Sequence, residues 1–233
     1  MISLSIEALI EAFPHYSVAV VVAENLSVVP ERGPDMNAMI ESAEAAAQRD
    51  YDPENLGSLD AISDWRRAYR DFGIKQTKYR SSVERLLRSA VKGRGLPQIS
   101  RPVDAYNLIS LKYLAPVGAD DLNRVTGDLS FRFADGTESF LPLGKADQGE
   151  DPPKLGEVVY TDAHKVLCRR WNWYQDARSA IQADTTHAVL TIQSLGHVEL
   201  EAAAEELCQL WTDHCGADCT YRIADSANPV VGF

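Results

Sequence analysis

The sequence lacks most of the signatures that assign a chain to a common functional class. No stretch approaches the roughly 20 apolar residues of a membrane-spanning helix; the longest candidate, Ser17–Ala23 (SVAVVVA), reads as a buried strand. There is no GxxxxGK followed by Ser or Thr, no GxGxxG behind a strand, no HExxH and no GxSxG. Phosphate-loop, dinucleotide, zincin and α/β-hydrolase chemistries therefore have nothing to build on. Cysteine is scarce, with only Cys168, Cys208, Cys215 and Cys219, and the N-terminus carries Glu7 and Glu11 where a secretory signal would be basic and then apolar. Reduced thiols in a cytoplasmic protein are the expectation. Cys208, His214, Cys215 and Cys219 do not form the paired CxxC spacing of a zinc site, and Cys208 falls on the apolar side of its helix. Neither a metal nor a cofactor is expected. The five histidines are scattered, and no Ser-His-Asp set can be assembled from them.

Positive charge is also in short supply, with 23 basic against 34 acidic residues and a net charge of −11. Its distribution matters more than its total. Between Trp65 and Lys112 twelve basic residues face only Asp71, Glu84 and Asp104. Because screening confines charge effects to about 8–10 Å, such a segment can meet a polyanion although the whole chain is acidic. Solvated basic helix faces are the plainer explanation of the same residues.

What is present is a mixture of periodicities. Helical spacing marks Ser5–Phe13, the segment opened by Pro34 (PDMNAMIESAEAAAQRD), and DAISDWRRAYRDFG, where Trp65, Tyr69 and Phe72 share a stripe. In RSSVERLLRSAVKGRG, Ser81 and Glu84 have capping-box spacing, Val83, Leu86, Leu87, Ala90 and Val91 form an apolar face, and Gly93 ends the helix. A further helix follows Pro102, with Asp104 and Asn107 on one side, closed by a Pro-Val-Gly turn at 116–118. Beyond it the pattern alternates. Two strands around an Asp135-Gly136 hairpin turn, a strand pair through GEVVYTDAHKVLCRRWNW, and a strand in THAVLTIQSL are expected. The helix HVELEAAAEELCQLW ends near Gly216, and CTYRIAD is the last strand. The sum is an α+β fold, helices on a mixed, mainly antiparallel sheet, as a single compact domain over residues 1–233.

The order GRGLPQISRPVDAYNLISLKYLAPVGADDLNRVTGDLSFRFADGTESFLPLG resembles the editing, tRNA-binding domain of the bacterial phenylalanyl-tRNA synthetase beta chain, its third and fourth modules. The resemblance is carried by Val103, Asp104, Asn107, Pro116, Asp121-Leu122, Arg132, Ala134, Thr137-Glu138 and Leu143-Gly144. It continues through VVYTDAHKVLCRRWNW to Ile192 and makes residues 65–194 the editing-like core. Closer still are free-standing relatives of that domain, which carry an RRWNW-like strand and no aminoacylation machinery. Class II catalytic motifs are missing here, so an aminoacylating ligase is not expected.

The resemblance implies a trans-acting hydrolase that deacylates mischarged tRNA as part of translation quality control. Asn107 takes the place of the asparagine that lines the family pocket, where it would position the ester or its water. Gly118 stands where the family has a histidine, Thr191 where the synthetases have the glutamate that reads a tyrosine hydroxyl, and Arg169 where they have a pocket-wall glycine. Thr191, Arg169, Asn172 and Trp173 are thus the expected substrate contacts, with Arg169 or Arg170 meeting phosphate or carboxylate. Strand alternation would put Trp171 and Trp173 on one face, as sheet core or as a platform for the terminal adenine. Arg66, Arg70, Arg85, Arg88, Lys92 and Arg94 would track the tRNA backbone; neither DNA nor membrane is an expected partner. Two other readings remain: a non-catalytic module binding tRNA or an amino acid, and a small-molecule enzyme or sensor on the same fold.

Overall fold

The structure, a computed structural model, describes residues 2–75 and 78–233. Its elements in chain order are β1 (Ser3–Ser5), α1 (Glu7–Ile10), β2 (Ser17–Glu24), α2 (Pro34–Asp50), α3 (Asp60–Asp71), α4 (Ser82–Val91), α5 (Arg101–Tyr113), β3 (Val117–Asp121), β4 (Leu129–Phe133), β5 (Val158–Thr161), β6 (Val166–Arg169), β7 (Tyr174–Gln175), β8 (Ala188–Ser194), α6 (Leu200–Cys215), β9 (Asp218–Ala224) and β10 (Val230–Gly232). The class is α+β, as the periodicities predict, but the strands divide between two sheets. One has the order β10-β1-β4-β5-β6-β7, with β1 and β4 its parallel pair. The other, β3-β8-β2-β9, is antiparallel throughout. In β2 and β8 both faces are buried, which explains their nearly unbroken apolar sequences. Among the described residues no helix is long and apolar enough to cross a membrane.

Several local expectations are corrected. Ser81 is the N-cap of α4, yet its hydroxyl makes no hydrogen bond among the described residues and Glu84 does not reach back to it. Glu84 instead meets Arg66 (2.6 Å), Arg80 (2.8 Å) and Arg88 (3.7 Å), because guanidiniums outcompete a single backbone N–H for a buried carboxylate. The Asp135-Gly136 turn does not close a hairpin. Glu138 accepts from the N–H groups of Asp135 and Gly136 and from Arg132, which turns the chain out of the sheet, and β4 pairs with β5. The expected second arm contributes only the isolated bridges Ser139–Lys165 and Pro142–Asp176. Ser5–Phe13 is split between β1 and the short α1, and the last strand is β10 rather than β9.

The RRWNW strand also ends early. Arg170 and Trp171 adopt left-handed backbone angles (φ 50° and 66°), so alternation stops at Arg169. For residues with a Cβ such angles cost on the order of 1 kcal/mol each. The turn drives Trp171 into the core, where its ring lies 4.7 Å from Phe13, 4.9 Å from Tyr16 and 5.1 Å from Trp65. Burying an indole among aromatics is worth several times that strain. Trp171 is therefore core, and Trp173 points elsewhere.

Candidate functional site

Helix α5 organises the site. Pro102 sits in its first turn, where a missing N–H is harmless. Its end is made by Leu114 in the left-handed region (φ 51°), with Ser110 Oγ donating to the carbonyl of Ala115 (2.6 Å). The reversal is thus complete before Pro116. Val117 and Gly118 already belong to β3, and the expected Pro-Val-Gly turn is a strand start.

The two polar residues of α5 have different fates. Asp104 is fully buried and accepts from Arg32 Nε (2.8 Å) and from the N–H of Ile99 (3.0 Å). Arg32 also donates to the carbonyls of Leu96 and Pro97, so Asp104 ties down the loop before the helix rather than capping the helix itself. Asn107 is buried as well, but its amide has no hydrogen-bond partner among the described residues and opens into a cavity. A buried amide left unpaired by protein costs about 1–3 kcal/mol, unless water or a ligand satisfies it.

That cavity, of about 610 Å³, is lined by α5 (Val103, Tyr106, Asn107), by the two sheets, and by α4 with the loop after it. The strand β3 contributes Gly118 and Asp120, which alternation places on one face; Gly118 stands opposite Thr191 of β8. A methyl group added at Gly118 would meet nothing within 4 Å, and its backbone does not require glycine. The glycine therefore contributes empty volume. Thr191 lies at the end of a buried relay: Tyr69 Oη donates to Asn172 Oδ1 (2.9 Å), Asn172 Nδ2 donates to Gln193 Oε1 (3.2 Å), and Gln193 Nε2 donates to Thr191 Oγ1 (3.4 Å). With its oxygen accepting from Gln193, the Thr191 hydroxyl keeps its own proton to donate.

The cavity brings together Asn107, Gly118, Thr191, Asn172, Trp173, Arg85 and Arg94 from the expected set. Arg85 and Arg94 are exposed at its rim, and Arg85 Nη1 donates to the carbonyl of Trp173 (3.1 Å). Trp173 is half-buried, with Tyr79 edge-on at 4.9 Å, Tyr174 at 4.9 Å and the Arg170 guanidinium 4.4 Å from its ring. Arg169 lies outside the cavity. Its guanidinium is buried and engaged by Glu157 (2.8 Å) and Asp151, so its charge is compensated within the chain. Arg170 is stacked on Tyr79 (3.9 Å) and Trp173. Of the remaining basic residues, Arg66 and Arg88 are turned toward Glu84, whereas Arg70 and Lys92 are exposed.

Residues without an assigned role in the sequence pattern complete the site. Asp120 is 4% exposed; its Oδ1 accepts from Ser179 Oγ (2.7 Å) and Gln175 Nε2 (3.1 Å). Burial pushes this carboxyl up to about 7, against the pull of those two hydrogen bonds. Burial, helped by the charge of Asp120, pushes the Cys168 thiol on the same wall up to about 12, so it stays protonated and is no nucleophile at neutral pH. The Tyr160 hydroxyl is buried without a partner among the described residues. Asp120 was legible in principle: reading Val117–Asp121 as a strand puts it on the side of Gly118. Tyr160 offers no such signal, since only the tertiary fold brings β5 to β3. No group of three or more metal-ligating side chains converges among the described residues.

Comparison with known proteins supplies the family. The family described as the B3/4 domain matches residues 64–216, about two thirds of the chain. The phenylalanine–tRNA ligase beta subunit of Fusobacterium nucleatum is 32% identical over 108 residues, covering 46% of this chain and 13% of that subunit. Among solved structures, the N-terminal fragment of the phenylalanyl-tRNA synthetase beta-subunit from Pyrococcus horikoshii matches with a TM-score of 0.46 at 12% identity, over 93% of this chain and 50% of the fragment. This chain belongs to the B3/4 domain family.

Proposed function

From that membership we propose that the protein is a trans-acting aminoacyl-tRNA deacylase, with the α5–β3–β8 cavity receiving the aminoacylated 3′ end of a tRNA. The observation that carries this reading is the Asn107 amide, buried, open to the cavity and without a partner among the described residues. In that position it orients the ester carbonyl or the water that attacks it. Gly118 leaves volume for the aminoacyl group, and the Thr191 hydroxyl donates to its side chain. Arg85 and Arg94 at the rim meet the terminal phosphates, with Trp173 and Asn172 forming the wall beside them. Arg70 and Lys92 are the exposed cations left to follow the backbone further out. No nucleophilic side chain is needed: a held water in a fixed polar environment supplies orientation and electrostatic stabilisation.

The test is a deacylation time course with correctly and incorrectly charged tRNAs, alongside the Asn107→Ala variant. Selective release of one amino acid, slowed at least tenfold in the variant, is the expected result. Tight tRNA binding with no release from any charged species would replace this reading with a binding module, which the absence of a histidine or a thiolate in the cavity favours. No binding even at low salt would point to a small-molecule ligand instead.

A further inference from the structure

The cavity is polarised. Its rim carries the exposed guanidiniums of Arg85 and Arg94, and its interior carries one carboxyl, Asp120. One oxygen of that carboxyl, Oδ1, is taken by Ser179 and Gln175, both neutral donors. The other, Oδ2, has no hydrogen-bond partner among the described residues. Lys165, whose charge reaches Asp120, is itself held by Asp162 (2.6 Å) and by the carbonyl of Arg124 (2.7 Å). The nearby charge of Asp176 is negative. A second unsatisfied group belongs to the same lining: Tyr160 is 3% exposed, its hydroxyl has no partner among the described residues, and its own ionisation is opposed by Asp120.

We propose that Asp120 and Tyr160 form a receptor for a primary ammonium group, making Asp120 the residue that selects which ligands the cavity accepts. This rests on the reading of the cavity as the seat of an aminoacyl end. An ammonium carries three donors and a full charge. It donates to Asp120 Oδ2 beside the Tyr160 hydroxyl, and it supplies the cation that the surrounding protein withholds from a buried carboxylate. A hydroxyl fills one of these needs and a methyl group fills neither. Opposite polarity at rim and interior fixes the ligand's direction, its anionic part at Arg85 and Arg94 and its ammonium inward. In an aminoacyl ester that ammonium is either the α-amino group or the end of a basic side chain.

Four amide-linked 3′-aminoacyl adenosines, which cannot be hydrolysed, distinguish these sources: lysyl (both groups), norleucyl (α only), 6-aminohexanoyl (side chain only) and hexanoyl (neither). Binding is measured by calorimetry to the full chain and to Asp120→Asn, which keeps the acceptor for Ser179 and Gln175. The lysyl compound is expected to bind the native protein at least about tenfold tighter than the hexanoyl compound. Either norleucyl or 6-aminohexanoyl shares the gain and identifies the amine. In Asp120→Asn the preference falls to within about twofold. Tyr160→Phe, which removes one oxygen and leaves the ring, reduces it by a smaller factor. Equal affinities in the native protein, a preference that survives Asp120→Asn, or no binding by any of the four overturns the proposal. Preference without deacylation of any charged tRNA would remove the hydrolase reading alone. Deacylation lost in Asn107→Ala, with a preference indifferent to Asp120→Asn, would remove this inference alone.

Discussion

Two buried carboxyl groups, Glu84 on α4 and Asp120 on β3, are handled in opposite ways. Glu84 is 1% exposed and lies among three guanidiniums, from Arg66, Arg80 and Arg88. Asp120 is 4% exposed and is given only a serine hydroxyl and a glutamine amide. The first joins α3, the segment before α4, and α4 itself, so its charge is compensated from within the chain and its role is architectural. The second stands on the wall of a cavity with its compensation missing. Burying an ionised carboxylate without a cation is expensive, and a fold keeps such a residue for something other than its own stability. The contrast also separates the basic residues: Arg66 and Arg88 belong to the architecture, while Arg85 and Arg94, on the same helix or just beyond it, face the cavity.

Glu84→Ala leaves the guanidiniums facing one another around a buried gap and is expected to destabilise the protein by about 3 kcal/mol, read from urea unfolding. A loss under 1 kcal/mol would show that the cluster is ornamental.

The effect at Asp120 has the opposite sign and depends on pH. Because the carboxyl of Asp120 is raised to about 7 from an ordinary value near 3.8, the native state holds its proton more tightly than the unfolded state. Its penalty is absent below about pH 4 and grows as pH rises through the window to 7. Asp120→Asn is therefore expected to stabilise the protein at pH 8, by at most about 4 kcal/mol, and to change little at pH 4. Equal stability of the two proteins at pH 8 would remove the contrast with Glu84.

Gly118→Ala acts on the cavity alone. The added methyl has open space, so unfolding should shift by less than about 1 kcal/mol, while deacylation or ligand binding falls several-fold through lost volume. Unchanged function would place the ligand away from β3. The smallest effect on stability belongs to Arg85→Gln with Arg94→Gln. Unfolding should move by no more than about 0.5 kcal/mol. The slope of log tRNA affinity against log salt should fall by roughly 1.4–1.8, as two phosphate contacts are lost. An unchanged slope would mean that the rim does not meet the nucleic acid.

Legibility in the sequence followed the range of the interactions involved. The strands β2 and β8 and the helices α2, α4 and α6 could be read because their apolar spacing is local, and Gly216 takes the left-handed position that ends α6. Asn107 could be singled out because a polar residue on an apolar helix face is conspicuous in one dimension. The three-residue strands β1 and β10 could not, since each exists only by pairing with a distant segment. Nor could the fate of Trp171: nothing in RRWNW announces two successive left-handed residues, which are stabilised by aromatic partners as far away as Phe13 and Trp65. Arg169 was misplaced for a related reason. Its position on the strand was right, but Glu157 and Asp151 on another segment had already claimed it.

The pairing of β3 with β8 gives the cavity a parity. Gly118 and Asp120 face inward because they are the even-numbered residues of a strand whose register is set by Gly118 opposite Thr191. Inserting one residue between Leu114 and Val117 so that β3 slips by one position against β8 would exchange the two sides at once. Val117 and Ala119 would take the inward positions, and the acid would leave the cavity wall. In this protein a change of chain length at the α5–β3 joint is a change of chemistry, and the length of that short connection is as much a part of the site as any side chain within it.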